Sequence, residues 1–187
     1  MAVFFTLAVD CANNQSAADE IATRFSDHKI ELDVGGKAEW IKCTSHSYSA
    51  RNNWNQAERE NLQRPNWQLA CVTQEVYLGG PRSDLVSEPN LRLIRDNLYD
   101  RLAGVNTSLA PATGFRAARF GVEAQDDLGD DDWLRSLGQF LLFREPQKYY
   151  EGLIVQESLI WNPSLRKHLS DFSPGYLWWD CFPDKYY

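Results

Sequence analysis

Cys11 is the side chain whose position in the sequence best suits nucleophilic chemistry. It follows a strand-like segment and precedes a helix start, where backbone N–H groups can lower the pKa of a thiol. Cysteine enzymes that bind phosphate carry an Arg six residues after the nucleophile, but Ala17 occupies that position here. No His lies near Cys11 along the chain. We therefore interpret Cys11 as a buried structural thiol rather than as a catalytic residue.

The spacing of the His and Cys residues does not favour a metal site. Cys43 and His46 stand three residues apart, and side chains with that spacing point to opposite faces of a strand. With only His28 and His168 besides, a closed zinc site would need four ligands from distant segments. The acidic run that starts at Asp126 lacks the Gly and Glu of a calcium loop, although an irregular divalent site remains an alternative. We predict no catalytic residue, no metal and no cofactor.

Six acidic residues and no basic residue lie between residues 121 and 133, and they account for nearly the whole net charge of −7. Part of this charge suits a helix start, since Asp130 can cap a helix and Asp131 and Asp132 complement its dipole. One helix end cannot use all six charges, and a basic partner would relieve their mutual repulsion. The residues that we expect to bind a basic partner protein are Asp126, Asp127, Asp130, Asp131 and Asp132. The same charge disfavours nucleic acids and anionic membranes as partners.

Residues 172–187 are rich in aromatic side chains, which number seven of sixteen. The segment YLWW within this run predicts a final edge strand or an extended tail, with Trp178 pointing inward and Trp179 outward. Pro174 and Pro183 restrict the backbone and so limit the entropy that would be lost on binding. Exposed Trp and Tyr side chains are typical of interface hot spots. The apolar anchors that we predict are Trp179, Tyr186 and Tyr187.

The pattern of apolar residues predicts a mixture of strands and helices. Alternating apolar residues and a diglycine turn predict strands over 2–10, 29–34, 37–47, 67–78, 114–124 and 151–161. Helical periodicity, together with capping residues, predicts a helix capped by Ser16, a helix that starts near Ser87 and ends at Gly104, and helices over 130–143 and 163–172. These elements favour an α+β fold with a single, mainly antiparallel sheet and helices packed mostly on one face.

Composition is typical of one folded domain that covers residues 1–187. Hydrophobic residues make up 43% and charged residues 24% of the chain, which is sufficient for a buried core. The longest apolar runs are far shorter than a membrane span, and the N-terminal segment has no basic residues before its apolar stretch. We therefore predict a cytoplasmic protein. The four cysteines, which form no CxxC pair, are expected to be reduced thiols; they are Cys11, Cys43, Cys71 and Cys181.

In its small size, its acidity, its aromatic content and its lack of a catalytic signature, the chain resembles bacterial immunity or antitoxin-type proteins. The resemblance is one of general character and covers no defined motif. It implies a stoichiometric inhibitor that neutralises a basic partner, such as a toxin, by occupying its cleft with carboxylates. One alternative is a small enzyme whose site is assembled from Cys11, His46 and His168 with a nearby carboxylate. Another is a structural subunit that assembles through its aromatic tail.

Overall fold

The computed structural model describes residues 2–3, 5–49, 67–72, 76–77, 88–108, 114–122 and 153–179. The strands are β1 (Ala2–Val3), β2 (Phe5–Asp10), β3 (Lys29–Val34), β4 (Lys37–Lys42), β5 (Thr44–Ser49), β6 (Trp67–Val72), β7 (Val76–Tyr77), β8 (Ala117–Val122), β9 (Leu153–Gln156), β10 (Ser170–Ser173) and β11 (Tyr176–Trp179). The helices are α1 (Gln15–Phe25), α2 (Glu88–Ser108) and the single turn α3 (Pro163–Arg166), and a 3-10 turn spans Glu157–Leu159.

Seven of these strands form one sheet in the order β10-β11-β9-β8-β2-β6-β5, and every neighbouring pair is antiparallel. A hairpin of β3 and β4 and a short ladder of β1 and β7 accompany it. The predicted α+β class and mainly antiparallel sheet are therefore confirmed.

Strand β2 is central because it pairs with β6 on one side and with β8 on the other. The sequence predicts one face of this strand to be more apolar than the opposite face. All six residues are nevertheless buried, because both faces of the sheet are covered at this point. Leu7 and Val9 join the larger core on the helix side, whereas Ala8 joins a smaller cluster on the other side.

The larger core lies between the sheet, helices α1 and α2, and the β3–β4 hairpin. Both long helices present one apolar stripe, as their sequence periodicity predicts. The buried residues of these stripes are Ala18, Ile21 and Phe25 in α1, and Leu91, Ile94, Leu98 and Leu102 in α2. The hairpin adds Ile30, Leu32 and Ile41 from its inner face.

The opposite face of the sheet carries a smaller cluster, in which Leu165 of α3 and the following Leu169 pack against the strands. The strand residues of this cluster are Ala8, Ala117, Leu153, Val155 and Leu177. Among the helices that the structure describes, the long helices α1 and α2 cover one face and the four-residue α3 lies on the other, so the prediction that helices pack mostly on one face is confirmed for these ranges. Within the described ranges, no helix has the length and apolar character needed to cross a membrane.

The predicted N-cap of α1 and the predicted end of α2 are wrong. The N-cap of α1 is Asn14 rather than Ser16, because the Asn14 side chain accepts a hydrogen bond from the N–H of Ala17 at 3.0 Å. Helix α2 does not end at Gly104 but continues to Ser108. A glycine costs helix stability only modestly when the surrounding turns are well packed, so it does not by itself end a helix.

The hairpin turn follows its prediction, since Gly35 and Gly36 have φ angles of +61° and +81° and glycine adopts this region without steric cost. Other predicted elements also differ from the structure. The strand expected over 151–161 ends at Gln156, where a 3-10 turn begins. The strand expected over 37–47 divides at Cys43 into β4, which stays in the hairpin, and β5, which joins the main sheet. The helix expected over 163–172 ends at Arg166, and 170–173 form β10. Strand β11 is therefore not an edge strand, because β10 pairs with its outer side.

Candidate functional site

Several groups with chemical potential meet where β2 ends and the chain turns into α1. Antiparallel pairing of β2 with β8 places Asp10 opposite Ala117, so that the preceding Arg116 reaches the end of β2. Cys11 follows Asp10 directly, and Tyr176 at the start of β11 approaches the same region through Phe115. We define Asp10, Cys11, Arg116 and Tyr176 as the β2-end cluster.

The Asp10 carboxylate is fully buried and accepts hydrogen bonds on both oxygens. Oδ1 accepts from the backbone N–H of Ala12 at 2.7 Å, and Oδ2 accepts from Nη2 and Nε of Arg116 at 2.6 and 3.1 Å. The backbone N–H of Arg116 also donates to the carbonyl of Asp10 at 2.7 Å. The carboxylate therefore fixes the turn after β2 and ties it to β8, which is a structural role.

The Cys11 thiol is not the activated nucleophile that its place before a helix would permit. Only 1% of the residue is exposed. Burial raises the pKa of Cys11, and the neighbouring Asp10 charge raises it further, because both disfavour the thiolate. The interpretation of Cys11 as a buried free thiol is confirmed.

Cys43 is a second buried free thiol, located between β4 and β5. Burial raises its pKa to about 11, although the positive charge of Arg101 partly opposes the shift. A thiol with this pKa is almost entirely protonated at neutral pH and is therefore a poor nucleophile and a poor metal ligand. The side chains of Cys71 and Cys181 fall outside the described part of the chain.

The side chain of Tyr176 links β11 to the segment just before β8. Its hydroxyl donates to the carbonyl of Phe115 at 2.7 Å, and the two rings lie 4.4 Å apart between centroids. Burial raises the pKa of Tyr176 to about 12, with a further contribution from Cys11. The phenol is thus held neutral as a hydrogen-bond donor and is not poised for proton transfer at neutral pH.

The three residues of the alternative enzyme hypothesis are not brought together. Cys11 belongs to the core on the helix side of the sheet. His46 lies on the opposite face, because it pairs in register with Ala70, which in turn pairs with Ala8 of the smaller cluster. His46 lies on β5 at one end of the sheet, and His168 is exposed just before β10 at the other end. Strands β5 and β10 are six strand spacings apart in the sheet, which corresponds to about 29 Å.

Metal-binding geometry is likewise missing from the ranges that the structure describes, where no group of three or more His, Cys, Asp or Glu side chains could hold an ion. Cys43 is buried in the core whereas His46 is exposed, so the two side chains point in opposite directions, as predicted.

The residues expected to bind a partner lie mostly outside the described ranges. This holds for Tyr186, Tyr187 and the five aspartates, which are Asp126, Asp127, Asp130, Asp131 and Asp132. Trp179 is described: it is partly buried and packs against the smaller cluster, while Trp178 packs against the larger core on the opposite face. The two indoles lie on opposite faces of the sheet, as predicted, but Trp179 does not point outward into solvent, because it packs against the smaller cluster.

Trp161 is an exposed aromatic residue that the sequence patterns assign to the end of a strand. The side chain is 83% exposed, and it stands immediately before Asn162, the N-cap of α3. The capping Asn followed by Pro163 is a helix-start signal. That signal could have placed Trp161 in the loop rather than in a strand.

The loop that carries Trp161 is held by several internal contacts. The N–H of Ile160 donates to the carbonyl of Glu157 at 3.0 Å. Arg166 donates to the carboxylates of Glu157 at 3.4 Å and Asp171 at 2.6 Å, and to the carbonyl of Leu169 at 3.0 Å. The exposed indole is thus presented by an ordered segment.

The chemical groups described in this structure fall into two sets. Asp10, Cys11, Tyr176 and Cys43 are buried and Arg116 is partly buried against Asp10, whereas Trp161 and many carboxylates face solvent. Comparison of the chain with protein-family models, with curated proteins and with solved structures found no match.

Proposed function

We propose that the chain is a non-catalytic, acidic protein-binding module that acts in the cytoplasm and neutralises a basic partner protein, in the manner of an immunity or antitoxin-type inhibitor. The observation that carries this proposal is the run of six acidic residues, without any Lys or Arg, between residues 121 and 133. Such a concentration of charge favours association with a basic surface and increases its rate.

Many carboxylates in the described ranges already have a basic partner within the chain. Arg116 contacts Asp10, and Lys42 contacts Asp27. Two further pairs, Arg24 with Glu20 and Arg166 with Asp171, lie at 2.8 and 2.6 Å. Residues 121–133 contain six acidic residues and no Lys or Arg, so the surplus negative charge of the sequence is concentrated there.

The buried reactive groups also support a binding function over a catalytic one. The thiols of Cys11 and Cys43 are inaccessible and have raised pKa values. Tyr176 and Asp10 serve as internal hydrogen-bonding groups. These groups stabilise the fold.

Trp161 is the apolar anchor that we assign to the partner interface, in addition to the predicted Trp179, Tyr186 and Tyr187. Trp is enriched among the residues that contribute most to binding, because it buries a large area with few rotatable bonds. Arg166 holds the loop that carries Trp161 through hydrogen bonds and ion pairs. Less conformational entropy is therefore lost when Trp161 becomes ordered against a partner. Its indole face can also bind Lys or Arg side chains, which a basic partner supplies.

The decisive experiment compares two triple variants with the same net charge. Asp130→Asn, Asp131→Asn and Asp132→Asn are combined in one protein; Glu31→Gln, Glu39→Gln and Asp100→Asn, which replace exposed acids elsewhere, are combined in the control. Each tagged variant and the parent are used to capture proteins from a lysate of the source organism at low and high salt. Captured proteins are identified by mass spectrometry and their affinities are then measured by calorimetry.

The parent and the control are expected to retain the same basic protein, and the Asp130–Asp132 variant is expected to bind it about tenfold more weakly. Such a change corresponds to about 1.4 kcal/mol, in keeping with three partly screened charge contacts. Added salt should weaken the binding of the parent. Equal binding by both triple variants would show that general charge, rather than the acidic run, is responsible, and capture of no basic protein by the parent would refute the proposal.

The contribution of Trp161 is tested with Trp161→Ala and the matched control Trp40→Ala, since Trp40 is also exposed, at 61%. A hot-spot residue contributes about 2 kcal/mol or more, so Trp161→Ala should weaken binding at least about 30-fold, whereas Trp40→Ala should leave it nearly unchanged. Equal affinities for the two variants would remove Trp161 from the interface without affecting the role of the acidic run.

A further inference from the structure

We draw no further inference here: the strongest candidate, the outward face of the β3–β4 hairpin on which Trp40 is exposed, carries nothing because no feature of the described part of the chain shows what covers it.

Discussion

The guanidinium of Arg116 lies 2.6 Å from a carboxylate oxygen of Asp10, and the side chain of Asp10 is completely buried. The two residues are 106 positions apart in the sequence, so this ion pair joins the end of β2 to the beginning of β8. A carboxylate inside a protein is stable only when hydrogen bonds and an opposite charge replace its hydration. Arg116 and the N–H of Ala12 supply both.

Asp10→Asn should therefore lower the free energy of unfolding by about 3 kcal/mol, because it breaks an ion pair whose acidic partner is buried. Urea denaturation followed by circular dichroism measures this change. Asp171→Asn is the control, since the side chain of Asp171 is 86% exposed and also contacts an arginine. Its cost should stay below about 1 kcal/mol. Equal losses of unfolding free energy for the two substitutions would mean that the buried Asp10–Arg116 pair is no more stabilising than an exposed ion pair.

Asn14→Ala should destabilise the protein by about 1 kcal/mol, because the Asn14 side chain caps α1 through the N–H of Ala17. Ser16→Ala is the informative comparison, since the sequence pattern favours Ser16 as the cap whereas the structure has it within the helix. That substitution should change the free energy of unfolding by less than about 0.5 kcal/mol. A larger loss for Ser16→Ala than for Asn14→Ala would reverse the assignment.

Alkaline pH should weaken the fold through Tyr176. Its pKa rises from 10.0 to about 12 on folding, so between these values the unfolded chain releases the phenolic proton while the folded protein retains it. The folded state then binds more protons, and the free energy of unfolding decreases as the pH rises. The stabilisation is complete below pH 10 and is lost as the pH passes 12. Cys43 acts in the same direction between 9.0 and about 11.

Tyr176→Phe isolates the contribution of the phenol. Between pH 8 and pH 11 the parent should lose about 1 kcal/mol more free energy of unfolding than the variant, given about 1.36 kcal/mol per pKa unit. Urea titrations at both pH values measure the difference, and Cys43 contributes equally to both proteins. The same decrease in parent and variant would contradict a raised pKa for Tyr176.

The thiols of Cys11 and Cys43 should resist modification in the folded protein, because both are buried and protonated at neutral pH. The variant with Cys71→Ser and Cys181→Ser leaves only these two thiols. A chromogenic disulfide reagent at pH 8 should detect no thiol within minutes in buffer and two thiols in concentrated urea. Prompt reaction of the folded variant would show that one of them is accessible, and it would restore the nucleophile hypothesis for that residue.

Elements with strong local signals were predictable from the sequence. The apolar stripes of α1 and α2 follow a helical period, and β3 alternates buried and exposed residues as a half-buried strand does. The turn between β3 and β4 was equally predictable, because Gly35 and Gly36 adopt positive φ angles that other residues avoid. Local periodicity and turn chemistry act over a few residues, so they can be read without knowing the rest of the chain.

Position within the sheet was decided by tertiary structure. The segment YLWW has the pattern of a strand wherever it lies, but β10 pairs with its outer side and places it inside the sheet. Cys43 divides two strands that form one continuous pattern in the sequence, because the second strand finds its partner in β6. A period of two residues identifies a strand but carries no information about its neighbours.

For the candidate functional residues too, some features were set by the sequence alone and others by the tertiary structure. The sequence by itself determined that six acidic residues are concentrated between residues 121 and 133, which is a matter of composition along the chain. The sequence also predicted that Cys11 is buried, but only the tertiary structure decided that Arg116 pairs with the carboxylate of the neighbouring Asp10. The tertiary structure also decided that Trp161 is exposed. A pKa, an ion pair and an exposed fraction all depend on contacts between residues that are distant in the sequence.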